Sequence, residues 1–138
     1  MSSTTETSST EEPGRFAVAE SDQDESVVLA LRGELDHDTA PALRDALERS
    51  MALIDGRPGG TGAGAGRIVV DCTELRFCDS TGLNLLLKAR MTVRDRGGAL
   101  ALAGMRPQVA RVFEITGADS VFPTFASLEE ALGSGGAR

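Results

Sequence analysis

Arg67-Ile68-Val69-Val70-Asp71-Cys72-Thr73-Glu74-Leu75-Arg76-Phe77-Cys78-Asp79-Ser80-Thr81-Gly82-Leu83-Asn84-Leu85-Leu86-Leu87-Lys88-Ala89-Arg90 is the segment that sets the architecture. Its early run Ile68 to Val70 is short, apolar and rich in β-branched side chains, which predicts a buried strand. From Leu83 onward the length and the residue types predict a helix. Between them, Asp79-Ser80-Thr81 supplies side-chain oxygens able to satisfy the free amides of a first helical turn, so one of the three is expected to be the N-cap. A serine is therefore presented at a helix start. Read from spacing alone, Ser80 is a plain cap worth about 1 kcal/mol to the fold. Gly82 is unfavourable in a first helical turn, and its bare backbone would let another protein come close.

Upstream, Phe16 to Ala19 and Val27 to Leu31 read as two strands joined across the polar turn Ser21 to Glu25, a hairpin whose second strand ends at Gly33. After Leu35-Asp36-His37-Asp38, Thr39 is the expected N-cap of a helix with Pro41 in its first turn and Leu43, Ala46, Leu47, Ser50, Met51 and Ile54 at helical spacing. Downstream, Gly97-Gly98 breaks the chain and Ala99 to Ala103 reads as a strand. Pro107 starts a third helix, with Val109, Val112, Phe113 and Thr116 on one face. Val121 to Phe125 is an extended edge piece, because Pro123 cannot donate to a ladder. Ser127 caps a last helix, Leu128 to Leu132. The order ββαβαβαβα predicts a single α/β domain with a mixed central sheet of about five strands and helices mainly on one face.

The chain has 138 residues, one domain's worth, enough for a core without disulfide or metal. Residues 1–14 are Ser/Thr/Glu-rich and nearly free of large apolar side chains, so they are expected to be a disordered acidic tail. The domain is expected over 15–132, interrupted by a flexible Gly-rich loop at 55–66 and followed by a flexible tail at 133–138. That loop lacks the Lys-Ser/Thr ending of a phosphate-binding loop and leads into a strand rather than out of one, so nucleotide binding is not expected there. Of the net charge of −7, residues 1–25 carry −6, seven acids against Arg15. The folded part is nearly neutral and has no concentrated positive charge, which argues against direct nucleic-acid binding. The polar, acidic start does not resemble a signal peptide, and no apolar run approaches the ~20 residues of a membrane span. Cys72 and Cys78 fit no common zinc or redox spacing and read as small buried hydrophobes of a protein in a reducing cytoplasm. His37, the single histidine, cannot belong to a multi-histidine metal site, and no metal or cofactor is expected.

Three motifs together resemble the anti-sigma factor antagonists, small members of the STAS domain family. They are Gly33-Glu34-Leu35-Asp36 before the first helix, Val69-Val70-Asp71 with Leu75-Arg76-Phe77 and Asp79-Ser80-Thr81-Gly82-Leu83, and the apolar strand and helix after Gly97-Gly98. They cover about Phe16 to Leu132. The resemblance implies that Ser80 is a phosphorylation site, with Thr81 as a competing acceptor one residue on. It implies a contact surface of Asp36, His37, Asp79, Ser80, Thr81, Gly82 and Leu83. It also implies a non-enzymatic partner switch, a monomer or weak dimer in the cytoplasm. Unphosphorylated, the protein would bind an anti-sigma factor with serine kinase activity and free a sigma factor; a PP2C-type phosphatase would reset it. Ser80 as a hydrolytic nucleophile is disfavoured, since there is no Gly-x-Ser-x-Gly elbow and His37 is the single candidate base. The alternative with the same fold is a scaffold or sensor subunit of a stress-signalling assembly, with or without a bound small ligand, which size-exclusion measurement would distinguish by its large particle.

Overall fold

The computed structural model describes residues 16–23, 26–55 and 66–136. Strand β1 (Ala17–Gln23) pairs antiparallel with β2 (Ser26–Leu35), and α1 (Ala40–Asp55) follows. Then come β3 (Arg67–Cys78), α2 (Ser80–Asp95), β4 (Ala99–Ala103), α3 (Pro107–Thr116), a 3-10 turn at Ala118–Ser120, β5 (Thr124–Phe125) and α4 (Leu128–Gly136). The sheet order is β1-β2-β3-β4-β5, with every pair after the first parallel. This is the expected mixed five-stranded sheet in the expected element order.

Because the parallel strands follow one another in sequence and crossovers keep one hand, their helices fall on one face. Leu43, Leu47 and Ile54 of α1, Leu86 and Val93 of α2, and Val109 and Phe113 of α3 pack there against Val27, Leu29, Leu31, Ile68, Val70, Leu100 and Leu102. Helix α4 covers the opposite face, where Ala131 meets Val28, Val69 and Ala103. The described strands contain no reversal of order, the feature that opens a ligand crevice in open α/β sheets.

Several boundaries differ from expectation. Gly33 does not end β2. Its φ of 92° belongs to an irregularity that the strand passes through, and β2 runs on to Leu35. The hairpin is longer than expected, since Ser21 pairs with Val28 and Gln23 with Ser26 inside the ladder. Val121 and Phe122 are not extended strand; Phe122 is buried against Phe113, and only Thr124–Phe125 pair with β4. Helix α4 continues through Gly136 where a flexible tail was expected, although Gly133, Gly135 and Gly136 are unfavourable helix residues. Asp55 closes α1, and Gly66 is buried with its carbonyl accepting from the Ala99 N–H at 3.0 Å. The tail at 1–14, the core of the Gly-rich loop at 56–65 and residues 137–138 lie outside the described residues.

Candidate functional site

Strands β2 and β3 end together, with Leu35 in register with Cys78. The chain then diverges: one strand runs into the turn Asp36-His37-Asp38-Thr39, the other into Asp79 and α2. A single backbone bond ties the two exits, the Asp79 N–H donating to the Leu35 carbonyl at 3.1 Å. Parallel pairing thus brings Asp36 and Asp79, 43 residues apart in sequence, to one end of the sheet.

Asp79 is the N-cap of α2. Its backbone is extended, its Oδ1 accepts from the Gly82 N–H at 3.1 Å, and its carbonyl accepts from the Leu83 N–H at 3.0 Å. This resolves the three candidate caps and has a consequence for the next residue. Ser80 stands at the first helical position, exposed, and its hydroxyl makes no hydrogen bond with the described residues, His37 included. Thr81 is half-buried. Asp79→Ala is accordingly expected to lower the unfolding free energy by about 1 kcal/mol, whereas Ser80→Ala changes it by less than about 0.5 kcal/mol. Urea unfolding of the two variants checks this; the reverse ranking would return the capping role to Ser80.

The Asp36 turn is also fixed by a reciprocal cap, though not the expected one. Asp36 Oδ1 accepts from the Asp38 N–H at 3.0 Å and the Thr39 N–H at 3.1 Å, while Thr39 Oγ1 accepts from the Asp36 N–H at 2.9 Å. Thr39 was expected to cap α1 forward; instead its side chain reaches backward and Asp36 is the capping carboxylate. The reason is the spacing of a capping box, first residue and fourth exchanging bonds. His37 and Asp38 are left exposed at the tip of this turn.

Two members of the expected contact surface turn inward. Gly82 is buried, and a Cβ built on it would lie 2.5 Å from Leu35 Cγ and 3.2 Å from Cys78 Sγ. The missing side chain therefore serves close packing of the first turn of α2 on β2 and β3. Leu83 is 3 % exposed and belongs to the core, so its side chain is not available to a partner. Leu35 and Cys78, the floor on which the Ser80 turn rests, were not singled out as site residues. The signal for them was present: a glycine inside a helix turn facing the ends of two parallel strands.

Both cysteines are buried free thiols. Burial, and secondly the Asp79 carboxylate, push Cys78 up to about 12; burial, then Cys78 and Asp71, push Cys72 higher still. An unfolded chain ionises its thiols near 9.0 while the folded one keeps their protons, so the folded state holds more protons above that pH and its stability falls as pH rises further. The urea midpoint should decline from about pH 9 upward, and a Cys72→Ala/Cys78→Ala variant should show a shallower decline. An identical slope in the two proteins would exclude the thiols as its source.

Among the described residues no helix is long and apolar enough to cross a membrane. A model of the STAS domain family matches residues 17–131. An anti-sigma-B factor antagonist of Listeria monocytogenes is 32% identical over 94 residues, covering 67% of this chain and 73% of that protein. The crystal structure of an anti-sigma factor antagonist from Mycobacterium paratuberculosis superposes with a TM-score of 0.72 at 27% identity, covering 89% of this chain and 96% of that one. SpoIIAA, a Bacillus cell fate determinant solved in unphosphorylated and phosphorylated forms, is 26% identical, with TM-scores of 0.66 and 0.60 over 87% and 86% of this chain and 95% and 96% of that one. With the family model spanning nearly all of the described residues, the chain belongs to the STAS domain family.

Proposed function

We propose that the protein is an anti-sigma factor antagonist switched by phosphorylation. Unphosphorylated, it binds an anti-sigma factor that is also an ATP-dependent serine kinase and so frees a sigma factor. Phosphate on Ser80 blocks that binding, and a PP2C-type phosphatase removes it. ATP and magnesium belong to the kinase; this chain contributes an acceptor hydroxyl and a surface, and works in the cytoplasm as a monomer or weak dimer.

The observation that carries this reading is the separation of two jobs between neighbours. Asp79 holds the helix start and Ser80 does not, so the serine hydroxyl is exposed on a rigid turn with nothing to lose by modification. A phosphate there adds about −1.5 to −2 charge at the positive end of a 16-residue helix, a position that favours anions. Modification therefore leaves the fold standing and acts on whoever docks. Asp36, His37, Asp79 and Thr81 form the rim of the docking surface, with Gly82 and Leu83 shaping it from beneath. Relatives named as anti-sigma factor antagonists support the nature of the partner.

The test is direct. Incubated with magnesium, ATP and an anti-sigma kinase encoded in its own genome, the protein should gain one phosphate, located by mass spectrometry on Ser80, and Ser80→Ala should gain none. Phosphate on Thr81, or undiminished labelling of Ser80→Ala, would remove Ser80 from the switch.

A further inference from the structure

Aromatic residues are scarce in this chain: five phenylalanines, no tryptophan and no tyrosine. Phe16, Phe113 and Phe122 are buried and Phe125 packs with α4, but Phe77 leaves 46% of its surface open to solvent. Regular alternation along β3 would have hidden it. Leu75 faces the core, and a pleated strand returns to the same face two residues on. Instead Gly33 pairs with Leu75 and the next residue, Glu34, pairs with Phe77, so β3 accommodates Arg76 as an extra residue and its phase inverts. Cys78 takes the inward position and Phe77 swings out. Bulges of this kind re-aim a side chain and recur beside functional sites. Here the side chain re-aimed is a large apolar one, at the cost of its burial.

The location gives the outward ring a purpose. Phe77 is three residues from Ser80, at most about 11 Å between Cα atoms, and it pairs with the residue two before Asp36. It therefore stands at the same end of the sheet as the Ser80 and Asp36 turns. We propose that Phe77 is an anchoring aromatic of the interface with the anti-sigma kinase, seated in an apolar pocket of that partner while the Ser80 turn lies alongside. This rests on the reading of the protein as an antagonist. Interface centres are enriched in aromatic side chains and depleted of charge, and a few such anchors carry most of the affinity. Affinity and switching are thereby divided: the ring holds the partner, and the charge state of Ser80 decides whether the partner can close over it.

Titrating one anti-sigma kinase of the same genome against wild type, Phe77→Ala and Phe77→Leu gives the first measurement. Phe77→Ala should raise Kd about 10- to 100-fold at a temperature where both proteins are fully folded, and Phe77→Leu should recover part of the loss. In phosphorylation of Ser80 by that kinase, Phe77→Ala should raise the apparent KM and leave kcat as it was. Unchanged Kd and KM in Phe77→Ala overturn the proposal. The second measurement places a photo-crosslinking benzoylphenylalanine at position 77 or, separately, at position 37 of the full chain in its own cells. Capture of the kinase from position 77 supports the proposal. Capture from position 37 alone overturns the anchor but keeps the antagonist reading; capture of a second copy of this chain alone from position 77 overturns the anchor as well. Capture of no kinase from either position overturns both.

Discussion

Ser80→Glu is expected to weaken binding to the anti-sigma kinase by between about 30-fold and several-thousand-fold, and phosphorylated wild type by at least as much, while the domain keeps its wild-type unfolding midpoint. The range follows from leaving a charge unpaired within a fitted interface, which costs roughly 2 to 5 kcal/mol. The substituted carboxylate would stand beside Asp79 and near Asp36, already two carboxylates at this end of the sheet. No cation of the described chain is ion-paired with either of them. Within the domain itself the added charge meets the N-terminal end of α2, which offsets that repulsion by about 0.3 to 1 kcal/mol and keeps the fold intact. Ser80→Ala separates charge from loss of the hydroxyl: it should bind within about threefold of wild type and no longer respond to ATP. Calorimetric titration of the four species, wild type with and without phosphate and the two variants, is the measurement. Equal affinity across all four would leave Ser80 exposed but without a switching role. A loss of affinity accompanied by a lower unfolding midpoint in Ser80→Glu would instead make the effect one of folding.

What is legible in the sequence depends on how local the deciding interaction is. Ile68 to Val70, Ala99 to Ala103 and the Pro107 start of α3 carry their own signals in residue type, and each lies where expected. The element order follows from those signals, and with it the single-domain mixed sheet. Boundaries that depend on pairing were not legible. Gly33 reads as a stop in isolation, yet β2 continues through it because β3 supplies a partner as far as Cys78. Phe77 is turned outward by a register shift that exists only between two strands, so its exposure has no local signal. At the candidate site, motif order points to Ser80 and the Asp36 turn, and the sheet brings both to one end. Which oxygen caps which amide is not legible, since Asp79, Ser80 and Thr81 have equivalent chemistry and only geometry selects Asp79. The packing role of Gly82 is illegible for the same reason: the atoms that need its missing side chain belong to Leu35, 47 residues earlier.

That last contact yields an expected change of sign. Gly82→Ala places a methyl 2.5 Å from Leu35 Cγ and 2.7 Å from Leu35 Cδ2, distances no pair of carbon atoms tolerates without movement. Leu35 is 0% exposed and cannot swing into solvent, so either the first turn of α2 lifts or the core around Leu35 is compressed. Overpacking of this kind costs about 1 to 3 kcal/mol. Replacing glycine by alanine within a helix returns up to about 1 kcal/mol of propensity, so the single variant should be net destabilised by about 1 to 2 kcal/mol. Leu35→Ala, by contrast, opens a cavity beneath the same turn and should cost about 2 to 5 kcal/mol. On that background the methyl of Gly82→Ala enters vacated space, the clash with Leu35 is gone, the remaining 3.2 Å approach to Cys78 Sγ asks only a few tenths of an ångström of movement into the cavity, and most of the helix-propensity gain of up to about 1 kcal/mol remains. The same substitution is thus destabilising in the wild type and stabilising beside Leu35→Ala, a coupling that urea unfolding of the four proteins measures as a double-mutant cycle. Additive effects would mean that Gly82 and Leu35 do not define each other's space. The platform beneath Ser80 would then need another explanation for its rigidity. If the coupling is found, Gly82→Ala should also slow any phosphorylation of Ser80 by the proposed kinase partner, because a lifted first turn displaces the proposed acceptor hydroxyl.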